Sequence, residues 1–323
     1  MSVGQSSPGS GGRQVAGTPA GSEEIVVQHL TKQYKSLRAV DDLSFTVRAG
    51  RVTGFLGPNG AGKTTTLRML LNLVTPSAGT ATFGGRRYAD LEQPLRHVGA
   101  VLEASSAHKG RTGINHLRVI CAAAGLPRRR ADEVLELVGL TPAAKRKFKG
   151  YSLGMRQRLG IAAAMLGDPR ALILDEPANG LDPEGIRWMR DLLKALAAEG
   201  RTVLVSSHLL SEMQQLADDV VIIAAGRLIR QGPVDEVLGS MTGGLTQVRV
   251  RTPQPAELTA ALSELGATVA PAQDGALLIG GVDAPAVGRA ALRASVELHE
   301  LTGERADLEQ VFLQLTAGKA GIR

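Results

Sequence analysis

The fold is decided by one stretch, Gly57-Pro58-Asn59-Gly60-Ala61-Gly62-Lys63-Thr64-Thr65. Its pattern is G-x-x-x-x-G-K-[ST], and it separates an apolar run, Val52 to Leu56, from a segment with leucines at helical spacing, Lys63 to Leu73. Glycines allow successive backbone N–H groups to turn inward around phosphate oxygens, and a helix N-terminus adds about half a positive charge there. The order of strand, loop and helix therefore predicts a phosphate-binding loop in an α/β fold.

Two side chains of this loop have chemical roles in that prediction. Lys63 is placed to reach the β- and γ-phosphates, and Thr64 offers a hydroxyl to Mg²⁺, which prefers oxygen ligands. The competing interpretation is an ordinary glycine-rich turn in a chain with 39 glycines. The flanking strand and helix patterns favour the phosphate-binding loop, because the mechanism needs both.

A second chemical group follows the apolar run Leu172 to Leu174. Asp175 and Glu176 come directly after it, and alternation along a strand aims them in different directions. At the carboxyl end of a strand, Asp175 can hold Mg²⁺ directly or through a water. Glu176 can orient and polarise a water that attacks phosphorus. The alternative interpretation of the two acids is a plain helix cap.

Three further motifs occur in order around the acid pair. The segment Tyr151-Ser152-Leu153-Gly154-Met155-Arg156-Gln157-Arg158 precedes it, Gly180-Leu181-Asp182 follows it, and His208 comes at the end of the next apolar run. With this order the chain resembles the ATP-binding-cassette (ABC) ATPases, the nucleotide-binding subunits of ABC transporters, over about Ile25 to Leu238. The resemblance implies ATP and Mg²⁺ as cofactors. It also implies a P-loop α/β fold, with a mixed sheet, an antiparallel β subdomain and a helical subdomain.

The resemblance assigns roles to residues outside the loop and the acid pair. Tyr34 looks like the aromatic residue that stacks on adenine, against the alternative of a core tyrosine. Ser152 and Gly154 resemble the signature that contacts the γ-phosphate bound by a second ABC domain, and Asp182 would lie at that seam. His208 resembles the switch histidine that touches the γ-phosphate and helps to arrange the attacking water. Since one chain carries one loop and one signature, two complete sites require two copies.

Two positions depart from the family pattern. Tyr-Ser-Leu-Gly-Met stands where the common form is Leu-Ser-Gly-Gly-Gln, which keeps the serine and the second glycine. Glu103 stands where most relatives have a Mg²⁺-contacting glutamine, and it adds negative charge near the γ-phosphate. We expect Glu103→Gln to keep ATP affinity while changing turnover; unchanged turnover and Mg²⁺ dependence would count against this role. Such a glutamate, a compact cassette and a C-terminal extension resemble the drug- and antibiotic-export branch, including the daunorubicin-resistance type.

The 323-residue chain divides by composition and pattern. Residues 1–22, rich in Gly, Ser, Pro and Ala, are predicted as a flexible tail, and 23–240 as the ATPase domain with a helical subdomain at about 104–166. Thr242-Gly243-Gly244 is the predicted hinge. Residues 245–316 are predicted as a small α+β, ferredoxin-like domain for dimerisation or regulation, from the order β-α-β-β-α-β. Its predicted elements are strand Thr246–Thr252, helix Pro255–Leu265, strands near Val269 and Leu278, helix Ala284–Ala294, strand Val296–Leu301 and helix Asp307–Leu315.

Composition and charge exclude several classes of protein. Hydrophobic residues make up 43% and charged residues 21%, which excludes a globally disordered chain. No run approaches the roughly 18 to 20 apolar residues of a membrane-spanning helix, and the single Cys121 cannot form an intramolecular disulfide. The net charge is +6, with basic clusters at Arg128 to Arg130 and Lys145 to Lys149. These clusters are either solvated faces or a surface for an anionic partner.

These observations favour an energy-coupling ATPase. ATP binding would close a dimer of cassettes, hydrolysis at Glu176 would reopen it, and the motion would drive a separately encoded integral-membrane permease for efflux of a drug, antibiotic or other small molecule. The chain would lie in the cytoplasm, peripheral on the inner face of the membrane, with no nucleic-acid partner. The alternative is a soluble ABC ATPase acting on the ribosome or nucleic acid, or an ATP-controlled scaffold. A single phosphate-binding loop and the lack of sustained heptads weigh against it.

Overall fold

The computed structural model describes residues 23–102, 107–208, 210–241, 247–272 and 274–304. Four features predicted above lie outside these ranges: the tail 1–22, the Glu103 position, the hinge Thr242-Gly243-Gly244 and the helix Asp307–Leu315. In chain order, the strands are β1 (Ile25–Tyr34), β2 (Leu37–Val47), β3 (Val52–Leu56), β4 (Ala78–Phe83), β5 (Val98–Val101), β6 (Ala171–Asp175), β7 (Thr202–Ser207), β8 (Asp219–Ala224), β9 (Arg227–Pro233), β10 (Gln247–Arg251), β11 (Thr268–Pro271), β12 (Leu277–Gly280) and β13 (Glu300–Glu304). The α-helices are α1 (Lys63–Leu70), α2 (Pro94–His97), α3 (Gly113–Ala123), α4 (Arg129–Leu137), α5 (Leu153–Ala164), α6 (Pro183–Ala198), α7 (Leu210–Leu216), α8 (Val234–Met241), α9 (Pro255–Ser263) and α10 (Ala284–Arg293).

The central sheet has the strand order β5-β6-β7-β3-β8-β9. Its neighbours pair in parallel except β8 and β9, which are antiparallel. Along β6, Leu172 and Leu174 pack into one hydrophobic cluster and Ile173 into another, so this sheet is buried on both faces. The carboxyl ends of β3, β6 and β7 therefore meet at one edge, where the phosphate-binding loop, the acid pair and His208 follow them in the chain.

A separate antiparallel sheet has the order β2-β1-β4. The short apolar runs Ile25 to Val27 and Leu43 to Val47 are each part of a longer strand, because β1 runs on to Tyr34 and β2 begins at Leu37. The alternation of buried and less buried residues along β1 ends at Val27, because Gln28 and His29 are both exposed, and the register with β2 shifts on both sides of Leu30. An antiparallel hairpin tolerates this polar extension because one face can meet solvent.

Helix α1 is shorter than the pattern Lys63 to Leu73 predicted, since it ends at Leu70. Asn72 has φ of 55°, a left-handed conformation that closes the helix, and Leu73 is left 65% exposed. Helices α3, α4 and α5 form the helical lobe between β5 and β6, with Leu117, Leu135 and Leu159 in a shared core. In the described parts of the chain, no helix is both long and apolar enough to cross a membrane.

The C-terminal elements form their own sheet in the order β11-β12-β10-β13, with antiparallel neighbours. Residues of α9 and α10, including Leu258 and Val287, pack with strand residues such as Val248 in one core. This order belongs to the β-α-β-β-α-β arrangement. The last strand was predicted at Val296 to Leu301, and its start is wrong by about four residues: Val296 is buried in the core that it shares with residues of α10, and the strand begins at Glu300.

Candidate active site

The phosphate-binding loop is shaped by two glycines that other residues cannot replace. Gly62 has φ of 101° and is the N-cap of α1, and a Cβ there would come 2.5 Å from the carbonyl oxygen of Ala39. A Cβ on Gly57 would come 2.7 Å from the carbonyl oxygen of Ile223. The loop therefore passes very close to other backbone and ends at a helix N-terminus. The first N–H groups of that helix have no acceptor within it and face the loop, which suits an anion.

Lys63 is the buried cation of the loop. Its ammonium donates to the carbonyl oxygen of Gly57 at 2.7 Å and lies 3.7 Å from Glu176 Oε1, while the side chain is only 7% exposed. Burial lowers the pKa of Lys63, and the carboxylates of Glu176 and Asp175 act in the opposite direction. The positive charge is thus held inside the loop, next to the acid pair.

Asp175 ends β6 and is held from two sides. Thr64 donates its hydroxyl to Asp175 Oδ2 at 2.8 Å, and Ser206 donates to Asp175 Oδ1. The parallel register sets Asp175 opposite Ser206 on β7, so the second contact is a cross-strand pair. One hydroxyl and one carboxylate, both hard oxygen donors, therefore lie side by side at the start of α1.

Glu176 occupies the centre of the site. Its backbone has φ of 50°, a strained conformation for a residue with a side chain, and its N–H donates to Ser206 Oγ at 3.0 Å. His208 Nδ1 lies 2.6 Å from Glu176 Oε2, and the other carboxylate oxygen faces Lys63. The carboxylate is therefore held between a lysine and a histidine, as a general base that must be oriented would be.

A cleft of about 570 Å³ lies over these residues. Its lining residues are Tyr34, Leu37, Ala39, Asn59, Gly60, Ala61, Gly62, Lys63, Thr64, Thr65, Glu176, Asn179 and His208. Tyr34 is 45% exposed, with Lys32 Nζ 4.9 Å from its ring centroid, so the alternative of a core tyrosine is wrong. The cleft lining therefore combines an exposed aromatic residue with the buried cation Lys63 and the acid Glu176.

The signature residues lie apart from the cleft lining. Ser152 is exposed and caps α5 by accepting from the N–H of Met155 at 3.2 Å, and Asp182 is exposed and caps α6 by accepting from the N–H of Gly185 at 2.8 Å. Gly154 follows in the first turn of α5. Among the described residues that line the cleft, none of these three occurs. We call residues 151–155 the signature segment.

Four residues of the site were not picked out from the sequence. Ser206 supports both acids, and Leu37, Ala39 and Asn179 line the cleft. The available sequence signal for Ser206 was a serine at the end of the apolar run Thr202 to Ser206. That signal was not sufficient by itself, because Ser206 can support the acids only if β7 lies beside β6. Glu103, the third predicted Mg²⁺ contact, lies outside the described residues. Among those described, no group of three or more His, Cys, Asp and Glu could hold a metal by itself.

Comparison with known proteins gives matches over both regions of the chain. The ABC transporter family model matches residues 40–179, and a domain of unknown function, DUF8746, matches residues 246–309. The chain is 40% identical over 296 residues to the ABC transporter ATP-binding protein YhcH of Bacillus subtilis (strain 168), covering 90% of this chain and 95% of that protein. It is 38% identical to the daunorubicin/doxorubicin resistance ATP-binding protein DrrA of Streptomyces peucetius, covering 93% and 94%.

Further similarity is found in one more relative and in solved structures. The bacitracin transport ATP-binding protein BcrA of Bacillus licheniformis is 46% identical, covering 66% of this chain and 71% of that protein. A solved ATP-binding subunit of an ABC transporter superposes with a TM-score of 0.62 at 29% identity, covering 68% of this chain and 93% of that one. A dimeric ABC cassette, MJ0796, bound to ADP and Pi has the same fold, with a TM-score of 0.60 at 23% identity, covering 65% and 98%. The chain therefore belongs to the ABC transporter family as an ATPase subunit, in the branch whose named members include the daunorubicin and bacitracin proteins.

Proposed function

We propose that two copies of this chain bind and hydrolyse ATP at their shared interface and thereby drive a separately encoded membrane permease in drug or antibiotic efflux. The observation that carries the proposal is the position of Glu176 between Lys63 and His208 in the wall of the cleft. A carboxylate fixed beside a phosphate-binding loop can take the proton of a water that attacks phosphorus. Without these two neighbours the Glu176 side chain could rotate, and its carboxylate would not be held towards the attacking water.

Lys63 is the residue expected to hold the β- and γ-phosphates. Its ammonium donates to backbone carbonyls of the loop, and these bonds can be exchanged for stronger, charge-assisted bonds to phosphate oxygens. When the Lys63 ammonium moves away from Glu176 towards the phosphates, the carboxylate of Glu176 would contact only His208 and water. ATP binding is thereby linked to the freeing of the general base.

Thr64 and Asp175 are the residues that would hold Mg²⁺. The hydroxyl and the carboxylate lie 2.8 Å apart, and both are the oxygen donors that this ion prefers, so the residues fit it. When bound, the ion would neutralise charge on the phosphates. Ser206 keeps the Asp175 carboxylate in place by donating to its second oxygen.

A second copy of the chain supplies the remaining contacts. Ser152 and Asp182 are exposed, and among the described residues their side chains have hydrogen bonds only within the caps of their own helices. The N-terminus of α5, beside Gly154, is again a positive helix end. We expect these groups to close the cleft of the partner, so that the dimer holds two sites.

The permease and its cargo follow from the relatives and not from the site. The named relatives are transport or resistance ATP-binding proteins for bacitracin and for daunorubicin/doxorubicin. The helical lobe is the expected docking face for the permease, which would hold the chain peripherally at the cytoplasmic face of the membrane. Cargo selection would lie mainly in the permease.

The test of this proposal is Glu176→Gln. This change keeps the shape of the side chain and removes the base, so we expect ATPase turnover to fall by about a hundredfold or more while ATP is still bound. ATP should then convert the chain to a stable dimer, measured by light scattering after gel filtration.

Glu184→Gln is the matched control. Glu184 is exposed in the first turn of α6, and the substitution removes one carboxylate without touching the cleft. It should leave turnover and oligomeric state unchanged. Full turnover in Glu176→Gln would remove Glu176 from catalysis, and a persistent monomer would contradict the shared site.

A further inference from the structure

The positive charge of the chain is concentrated in the helical lobe. Residues 107–166 contain 12 of the 37 Lys and Arg residues but only 3 of the 31 Asp and Glu residues. The lobe therefore has a formal charge of +9 in a chain of +6, which leaves −3 for all the rest. Such an asymmetry is a property of one surface and not of the protein as a whole.

Two segments far apart in sequence combine to make that surface. The N–H of Phe148 donates to the carbonyl oxygen of Arg111 at 2.9 Å, and the N–H of Lys149 donates to that of Lys109 at 3.0 Å. These backbone bonds hold the segment before α3 against the segment before α5. The basic surface formed in this way consists of Lys109, Arg111, Lys145, Arg146, Lys147 and Lys149.

The cations of the basic surface are not neutralised locally. Within the described residues, no ion pair to an acid is found for any of the six, and all are exposed except Arg111, which is half-buried. The other predicted basic cluster behaves differently, since Arg129 and Arg130 both pair with Glu133. Thus one cluster is a paired helix face, and the other presents unpaired positive charge.

The basic surface continues into a shallow cavity of about 760 Å³. Arg111 lines it together with Arg118 and Arg128, so cations from three segments face the same space. Arg118 is the only one of these three with an acid nearby in the described structure, Asp132 at 3.6 Å. The region can therefore face several negative charges at once.

The chemistry of the surface favours lipid phosphates over nucleic acid. Phe148 and Tyr151, the Phe and Tyr residues beside it in the described part of the lobe, are each only 3% exposed, so neither of these two rings is available for stacking on bases. Clusters of four to eight exposed Lys and Arg bind anionic headgroups by charge attraction, without needing any specific pocket. We propose that the basic surface binds the phosphate headgroups of anionic phospholipids at the membrane face. This contact goes beyond the proposed transport function, because it requires neither ATP nor the permease.

The experiment is sedimentation of the purified full chain with vesicles. Vesicles of phosphatidylcholine mixed with phosphatidylglycerol are compared with vesicles of phosphatidylcholine alone. We expect binding only to the anionic vesicles, and its loss when the NaCl concentration is raised from 0.1 to 1 M, which shortens the screening length from about 10 to about 3 Å. Binding that is equal on both vesicles, or unaffected by salt, overturns the proposal.

The decisive variant replaces Lys109, Arg111, Lys147 and Lys149 by glutamine. We expect its partition onto anionic vesicles to be weaker by about tenfold or more. Its ATPase activity in solution should be unchanged, because none of the four lines the active-site cleft. Circular dichroism and thermal melting verify its fold.

A second variant with the same loss of charge is the control. In this variant, glutamine replaces Arg48, Lys194, Arg289 and Arg293, which are exposed and lie outside the helical lobe. This control variant should bind anionic vesicles like the unmodified chain. An equal loss of binding in both variants would show that only the net charge matters and would overturn the proposal.

Single-stranded RNA is the competing ligand. If the chain bound RNA more tightly than vesicles at equal salt, and if the first variant lost this RNA binding, the surface would be assigned to nucleic acid instead.

Discussion

The active-site cleft and the signature segment carry polar groups that are organised in opposite ways. In the cleft, Glu176 contacts both Lys63 and His208, although the three residues come from separate parts of the chain. In the signature segment, Ser152 is exposed, and within the described part of the chain its side chain has a hydrogen bond only to the backbone of its own helix. The difference teaches that one chain already assembles the predicted phosphate-binding lysine and catalytic acid, whereas Ser152 of the signature segment is presented outward. That is the pattern expected if a second chain must complete each site.

The two regions also differ in what holds them in place. Lys63 is buried, and its charge is tolerated only because carbonyls and carboxylates surround it. Ser152 needs no such compensation, because a helix cap at the surface is worth only about 1 kcal/mol. A change in the cleft should therefore act strongly and within one chain, whereas a change in the signature segment should act only once two chains meet.

The largest expected effect separates the two regions directly. Lys63→Ala should weaken ATP binding by about a hundredfold or more, because the phosphates lose a buried charge-assisted partner. Ser152→Ala should leave ATP binding by the isolated chain unchanged and lower turnover of the dimer instead. Titration with a fluorescent ATP analogue, alongside steady-state ATPase assays, measures both quantities.

Thr112→Ala controls for the lost helix cap in Ser152→Ala. Thr112 caps α3 in the same lobe by accepting from the N–H of Asn115, at a distance of 3.4 Å, and does not line the cleft. It should cost a similar free energy of unfolding but leave turnover intact. If Ser152→Ala weakened ATP binding by the isolated chain as much as Lys63→Ala does, the proposed division between the regions would fail.

A smaller effect tests whether the cleft depends on cross-strand support. Ser206→Ala removes the hydroxyl that holds both Asp175 and the N–H of Glu176, so we expect kcat to fall by about tenfold with little change in KM. Ser44→Ala is the control, because Ser44 also accepts a backbone N–H, that of His29 at 2.8 Å, but lies outside the cleft. An unchanged kcat in Ser206→Ala would show that the acids orient themselves without this residue.

A still smaller effect is expected at the contact between the signature segment and the loop that joins β6 to α6. A Cβ on Gly180 would lie 2.0 Å from Leu153 Cδ2, and Gly180 has φ of 77°. Gly180→Ala should cost about 1 to 2 kcal/mol of unfolding free energy and displace Leu153, so that turnover falls by a few-fold.

Gly200→Ala isolates the backbone part of that cost. Gly200 has φ of 92°, and its Cβ would have no atom within 4 Å, so only the left-handed conformation is penalised. The difference between the two variants measures the contact with Leu153, and adding Leu153→Ala to Gly180→Ala should remove it. Equal costs in Gly180→Ala and Gly200→Ala would mean that Leu153 moves aside freely.

The last expected effect is a pH dependence that has opposite signs for ATP binding and for the stability of the fold. Burial lowers the pKa of Lys63 below its ordinary 10.5, and phosphate binds the ammonium form. As the pH rises through the lowered pKa, ATP affinity should fall by at most tenfold per pH unit. In the same window, up to 10.5, the unfolded chain holds more protons than the folded one, so this lysine makes stability rise with pH. Calorimetric titration and urea unfolding of the protein and of Lys63→Met check both signs.

Much of the fold and site could be predicted from the sequence because the chemistry is written in contiguous residues. A loop that cradles phosphate needs glycines, a lysine and a threonine at adjacent positions, and a base needs an acid directly after a buried strand. These constraints are local, so they placed Gly57 to Thr65 and the acids Asp175 and Glu176 without knowledge of the fold. The boundaries of elements were harder, as the end of α1 at Leu70 and the start of β13 at Glu300 illustrate. At these two boundaries, a residue in the left-handed conformation or one buried side chain decides where the element ends or begins. The spacing of hydrophobic residues does not indicate either feature.

By itself, the sequence determined that this chain carries a phosphate-binding loop, an acid pair and the motifs of an ABC ATPase, because each of these is a short run of fixed residue types. Only the tertiary structure decided which distant residues meet. Ser206 supports the acids because β7 lies beside β6, and Lys109 joins Lys149 because two loops pair through their backbones. Contacts of this kind depend on strand order and loop packing, which local residue patterns do not encode.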